Sequence, residues 1–195
     1  MLDTRFFRTR LNDAGHAPYI PVDDPGQNLL GEDQWRWFEA QLREPADLRI
    51  IATSIQFVAI GHSWESWRMM PKEKQRFLDL LKITDASGVV LVSGDRHAAS
   101  IYKKESDDAY PLYELSTSSL NQPLTAILNT TQIPDEPGPH RLGSPYNESN
   151  FGIIDVNWQT RRLVLSIRNE TGEIVRAQSV SLDDLQYSTN LEVTL

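Results

Sequence analysis

The chain has 195 residues, 39% of them hydrophobic and 24% charged, with six Phe, six Tyr and five Trp, which is a globular composition far from the disordered range. Its formal net charge of -8 argues against nucleic acid as a structural partner, and no run of Lys or Arg overrides that locally. With no cysteine, disulfides, zinc-thiolate sites and thiol nucleophiles are excluded.

The length suits a single domain over residues 1–195, able to bury roughly 70% of the surface its unfolded form exposes. No stretch approaches the ~20 apolar residues of a membrane span, and the first residues carry no basic-then-apolar export signal. The chain opens abruptly, with Leu2, Phe6 and Phe7 set among charges where a natural N-terminus is more often polar and frayed. It reads as the middle of a protein.

After a short extended start, a loop rich in Pro, Asp and Gly runs from Asn12 to Asn28. Gly31 to Arg43 then predicts an amphipathic helix, with Glu32 and Asp33 in its first turn, Trp35, Phe38 and Leu42 at spacings of three and four, and Pro45 at its end. Leu48 to Thr53 is a short apolar run that predicts a strand covered on both faces. A second helix fits Pro71 to Lys82, with Pro71 at the first helical position, Phe77, Leu78 and Leu81 inward, and Lys72, Lys74 and Arg76 solvated.

Gly88 to Ser93 predicts a buried strand, and it leads at once into Gly94-Asp95-Arg96-His97. Tyr102 to Asp108 reads as an exposed connection and Leu112 to Ser116 as a strand. The polar, proline-rich stretch from Thr117 to Asn150 reads as a long loop of the kind that is more often functional or mobile than filler. Phe151 to Asn157, Leu163 to Arg168 and Ile174 to Ser181, separated by turn signals, predict an antiparallel meander that closes an edge. The order of elements predicts a mixed α/β layered domain.

The sharpest chemical feature is the turn after the buried strand. A strand end in an α/β fold delivers polar side chains to the sheet edge where ligands bind. Asp95 and His97, two residues apart on a tight turn, can face one point and hold a cation through oxygen and nitrogen, while the Arg96 guanidinium matches phosphate oxygens. A purely structural Gly-Asp turn has the same spacing, so from spacing alone both readings stand. Trp64, Glu65 and Trp67 form a dense patch that could wall a pocket or simply pack. Asn121 and Asn150 sit in loops where they could bind a ligand or serve turns. His16, His62 and His140 stand in loop-like segments with no partner at ligand spacing and read as surface residues.

The order of several short segments resembles the PhoD-like (alkaline phosphatase D) family: Leu2-Asp3-Thr4-Arg5 with Phe7-Arg8, Leu30 to Trp35, Ser54-Ile55-Gln56-Phe57, Trp64-Glu65-Ser66-Trp67, Ser93 to His97, Tyr113 to Asn121, and Asn150-Phe151-Gly152. The resemblance implies part of a layered αββα sandwich with mixed sheets, the calcineurin-like metallophosphoesterase fold, with a metal cluster at the strand ends. It implies a phosphoric ester hydrolase acting on a monoester or diester, and a metal pair drawn from calcium, iron, zinc or manganese. Relatives of this family are often exported. Asp95 and His97 are then metal ligands or phosphate contacts, Arg96 and Arg5 supply positive charge to the transition state, and Trp64 and Asn121 border the substrate. For Arg5 an ion pair with Asp3 or another acid is the alternative.

The superfamily's early metal-binding motifs have no counterpart in this sequence. The one Gly-Asp is Gly94-Asp95, and neither Asn-His nor Asp-His occurs. The resemblance thus covers the later part of the family's length, with the missing N-terminal half supplied by further sequence or by another chain. Exposed apolar surface on Leu2, Phe6, Phe7 and Leu48 to Thr53 is expected where that half would pack, or where the chain would form a homo-oligomer. The alternative is a non-catalytic remnant that keeps the fold as a binding or interaction domain.

Overall fold

The computed structural model describes residues 1–12, 15–106, 109–129, 136 and 138–187. Five strands, β1 (Arg49–Ala52), β2 (Val89–Ser93), β3 (Ala99–Lys104), β4 (Leu112–Ser116) and β5 (Arg141–Tyr146), form one mixed sheet in the order β1-β2-β4-β3-β5. β1, β2 and β4 run parallel, while β3 is antiparallel to both β4 and β5. The central strands earn their place by composition: Val89, Val90 and Leu91 are consecutive and all fully buried, so both faces of β2 are covered.

The last three strands, β6 (Asn150–Asn157), β7 (Arg162–Asn169) and β8 (Ile174–Ser181), make a separate antiparallel sheet. They do not close an edge of the first sheet, as the sequence suggested. β7 instead lies against β3 and β4, and its alternating Leu163, Leu165 and Ile167 are fully buried. Gly152 of β6 shows how closely the sheets approach: a Cβ there would sit 2.8 Å from Thr117 Oγ1 and 2.9 Å from Leu115 Cδ2.

Two helices, α1 (Glu32–Arg43) and α2 (Pro71–Ile83), occupy the expected segments. Trp35, Phe38 and Phe77 from their inward faces meet Phe57 and Trp67 in one aromatic cluster, with centroids 4.6 Å apart for Phe57 and Phe77 and 6.3 Å for Trp35 and Trp67. The buried Glu73 carboxylate of α2 crosses between elements, accepting from the Leu29 N–H at 2.7 Å and the Trp35 Nε1–H at 3.1 Å. Among the described residues, no helix is long and apolar enough to cross a membrane.

Several expectations are corrected. β1 is an edge strand: Ile51 is buried, yet Ile50 is 50% exposed, so one face is open. Among the described residues, its outer edge carries the start of the chain, where Leu2 pairs in parallel with Thr53 and donates to the Ala52 carbonyl at 2.8 Å. Of the predicted apolar patch, Leu2 is therefore buried, while Phe6 (79%), Phe7 and Ile50 remain exposed.

Lys74 is not solvated. Its ammonium sits 5.0 Å from the Phe57 ring centroid, and burial pushes its pKa down to about 8. The expected exposed connection from Tyr102 begins inside β3, with Tyr102 buried. Its last residues, 107–108, lie outside the described residues. The long loop of 117–150 contains a one-turn helix α3 (Leu124–Ile127) and all of β5, and its residues 130–135 and 137 are likewise outside the described set.

Candidate functional site

The turn that ends β2 is built from strained backbone. Asp95 and His97 both adopt positive φ, 72° and 54°, in the left-handed region that non-glycine residues seldom enter. Neighbouring segments hold the turn there. The His97 N–H donates to Ser118 Oγ at 3.1 Å, the His97 carbonyl accepts from the Leu124 N–H at 2.8 Å, and Ser118 Cβ crowds Gly94, where an added Cβ would lie 3.0 Å away. β2 and the segment that follows β4 thus fix the backbone of the turn.

The His97 ring is oriented as well. Its Nδ1 lies 2.7 Å from the Gln122 carbonyl, which can only accept, so in the neutral ring Nδ1 carries the proton and Nε2 the lone pair. Metal-binding histidines are commonly set by such a backbone carbonyl. The Asp95 side chain is exposed and meets Arg5 Nη2 at 3.4 Å.

Arg5 arrives from the start of the chain. Asp3 accepts the N–H groups of Arg5 (2.8 Å) and Phe6 (3.0 Å), which closes a turn just after Leu2 and holds the Asp3 carboxyl below its ordinary pKa. The Arg5 guanidinium then pairs with both Glu65 and Asp95, and Glu65 also takes Arg8 at 2.7 Å. Arg96, half-buried, pairs with Glu136 and lies 5.7 Å over the Trp64 ring. Burial pushes its guanidinium pKa down.

Asp95, Arg96 and His97 open on a cleft of about 520 Å³ that Trp64, Glu65 and His16 also line. Trp64 is 50% exposed at the rim, whereas Trp67 is fully buried and donates from Nε1 to Thr53 Oγ1 at 2.9 Å. Asn121 is exposed and does not line this cleft. Asn150 is not in a loop: it is the buried first residue of β6 and donates to the Glu148 carbonyl at 2.8 Å.

His62 differs from the surface reading, and His16 agrees with it. His62 is 7% exposed; its Nδ1 accepts from the Trp64 N–H at 3.1 Å and its Nε2–H reaches Gln56 Oε1 at 2.8 Å. Burial drives its pKa down to about 3, with Arg96 and Arg68 adding to the effect. His16 is exposed, but the loop from Asn12 carries it to the cleft wall, a placement no local pattern signals. Glu65 was legible only as one member of the Trp64 patch, although it is the acid that gathers Arg5 and Arg8.

Among the described residues, no three His, Asp or Glu side chains converge closely enough to hold a metal ion. Asp95 and His97 suit part of a coordination shell, the first by its open carboxylate and the second by its oriented Nε2. They do not make a whole one.

A family model described as PhoD-like phosphatase matches residues 1–164. Alkaline phosphatase D of Bacillus subtilis (strain 168) is 30% identical over 112 residues, which is 51% of this chain and 19% of that protein. A solved structure described as "Structure of PhoD" superimposes with a TM-score of 0.67 at 21% identity, covering 92% of this chain and 38% of that one. This chain spans well under half the length of either relative. With the match extending over most of its residues, from Leu2 through the strained Asp95–His97 turn to Gly152 and beyond, the chain belongs to the PhoD-like phosphatase family.

Proposed function

We propose that this chain carries the later part of the active site of a metal-dependent phosphoric ester hydrolase. Asp95 and His97 serve as metal ligands or phosphate contacts, and Arg96 and Arg5 bring positive charge to the transferring phosphoryl group. The observation that carries the reading is the strained turn, which presents an open carboxylate and an imidazole with a free Nε2 to one cleft. Metal ions bound there, calcium with iron, or zinc or manganese, would supply an activated water and offset charge on the leaving oxygen.

Two donors fit one side of such a centre, since a single catalytic zinc usually takes three protein ligands. The remaining ligands belong, on this reading, to polypeptide beyond these 195 residues or to another chain, which packs on Phe6, Phe7 and Ile50 and completes the αββα layering. A second reading, a non-catalytic binding domain, draws on the pairing of Arg5 and Arg8 with Glu65, which leaves less positive charge free for a substrate.

The chain alone is therefore expected to hydrolyse an activated aryl phosphate negligibly with calcium, iron, manganese or zinc added. Robust turnover that Asp95→Ala removes would overturn the incomplete-site argument. Zinc binding followed by calorimetry is expected to be weak and lost in His97→Ala but kept in Asn121→Ala. Equal binding by all three proteins would remove His97 from the site.

A further inference from the structure

We infer that the organic part of the ester taken at this cleft is an apolar aryl alcohol rather than a polyol or sugar. The inference rests on the phosphoester reading of Asp95, Arg96 and His97 and adds what lies beside them. One wall is formed by Trp64, Ile127, Leu124, Leu128, Tyr19 and Ala17. Trp64 and Ile127 are 50% and 48% exposed, although burying large apolar side chains is favourable. Exposed apolar groups gathered in a cleft beside a few charged ones are the usual mark of a ligand site.

The wall is also poor in what a polyol needs. A sugar or glycerol moiety would lose water bonds that these side chains cannot replace, and an unpaired buried hydroxyl is costly. The Tyr19 hydroxyl already donates to the Gly15 carbonyl at 3.3 Å, and Glu65 is taken by Arg5 and Arg8. His16 remains as a polar side chain on the wall, with its Nδ1 2.9 Å from the Ala17 carbonyl.

The wall is preorganised and joined to the anion-binding end. The Trp64 N–H is held by His62, which is held in turn by Gln56. Arg96 lies over the Trp64 ring, so the apolar surface begins where the guanidinium ends. A flat ring laid on Trp64 would bury one face without ordering any new side chain.

The test compares two phosphonates that share a dianionic head, methylphosphonate and 1-naphthylmethylphosphonate, titrated into the full chain by calorimetry, with 1-naphthylmethanol as the uncharged control. The naphthyl compound is expected to bind about tenfold or more tightly than methylphosphonate, as burial of one ring face implies. Trp64→Ala and, separately, Ile127→Ser are expected to cut that ratio below about threefold, and Ile127→Ser, which does not touch Arg96, to leave methylphosphonate unchanged. Both side chains are half-exposed, and unchanged thermal unfolding of each variant checks the fold. Equal binding of the two phosphonates, or a ratio that survives both substitutions, overturns the inference and leaves the phosphoester reading standing. Equal binding of the alcohol and the naphthyl phosphonate, or no binding of either phosphonate, overturns both.

Discussion

Two carboxylates of this chain, one on β4 and one just beyond the end of the adjacent β2, live in opposite conditions. Glu114, in the middle of β4, is fully buried and accepts from the N–H groups of Phe57 at 2.8 Å and Val58 at 2.6 Å. Asp95, at the end of the neighbouring β2, is exposed, strained at φ 72°, and meets only a guanidinium at 3.4 Å among its described hydrogen bonds. The first is committed to tying the Phe57–Val58 backbone to β4. The second has spare capacity and contributes little to the fold, as expected where local strain is kept for a ligand.

The comparison breaks most visibly at Glu114. Burial raises its pKa, opposed by the two backbone N–H groups and by Lys74. Glu114→Ala would strand two buried donors and leave Lys74 without its nearby acid, so a loss of about 3–5 kcal/mol is expected in urea unfolding. Asp95→Ala is expected to stay within about 0.5 kcal/mol. A similar loss in both variants would erase the distinction.

His62 gives the next largest effect, through pH. Its folded pKa, about 3, lies below the ordinary 6.5, so between these values the unfolded chain binds the proton and the folded one does not. Stability is then complete above about pH 6.5 and falls as pH drops toward 3, by about 2 kcal/mol at pH 5. His140, also lowered by burial, acts in the same direction. His62→Gln should flatten the slope between pH 7 and pH 5 in thermal melts; an unchanged slope would mean that His62 is protonated in the fold.

The smallest effect has the opposite sign. Because glycine accepts positive φ freely, Asp95→Gly is expected to stabilise the chain by about 0.5–1 kcal/mol while weakening zinc or phosphonate binding. A destabilised variant would show that the Asp95 side chain supports the turn.

What the sequence made legible follows from how local each signal is. α1, α2, β2, β4 and the meander carry their own periodicity and stops, and their observed limits fall within a few residues of the prediction. β3 escaped because Ala99-Ser100-Ile101-Tyr102 buries a serine beside its apolar residues, a pattern set by tertiary packing. β5 contains Gly143 and Pro145, which read as loop and are tolerated because β5 lies at the sheet edge. At the site, Asp95 and His97 were visible because they share one turn. The Arg5–Glu65 and Arg5–Asp95 pairs join residues 60 and 90 positions apart, and His62 and His16 take their roles from loops without periodicity, so nothing local announces them.

The single bridge between Leu2 and Thr53 has a consequence for charge as well as for shape. Arg5 stands in the turn just beyond that bridge, so a displaced bridge would carry its guanidinium away from Glu65 and Asp95. Glu65 and Asp95 would then confront each other with one counter-ion fewer, and the cleft would change from near balance to acidic. The Leu2 bond to the Ala52 carbonyl and the paired bonds between Asp3 and Gln34 thereby help set the polarity of the chamber.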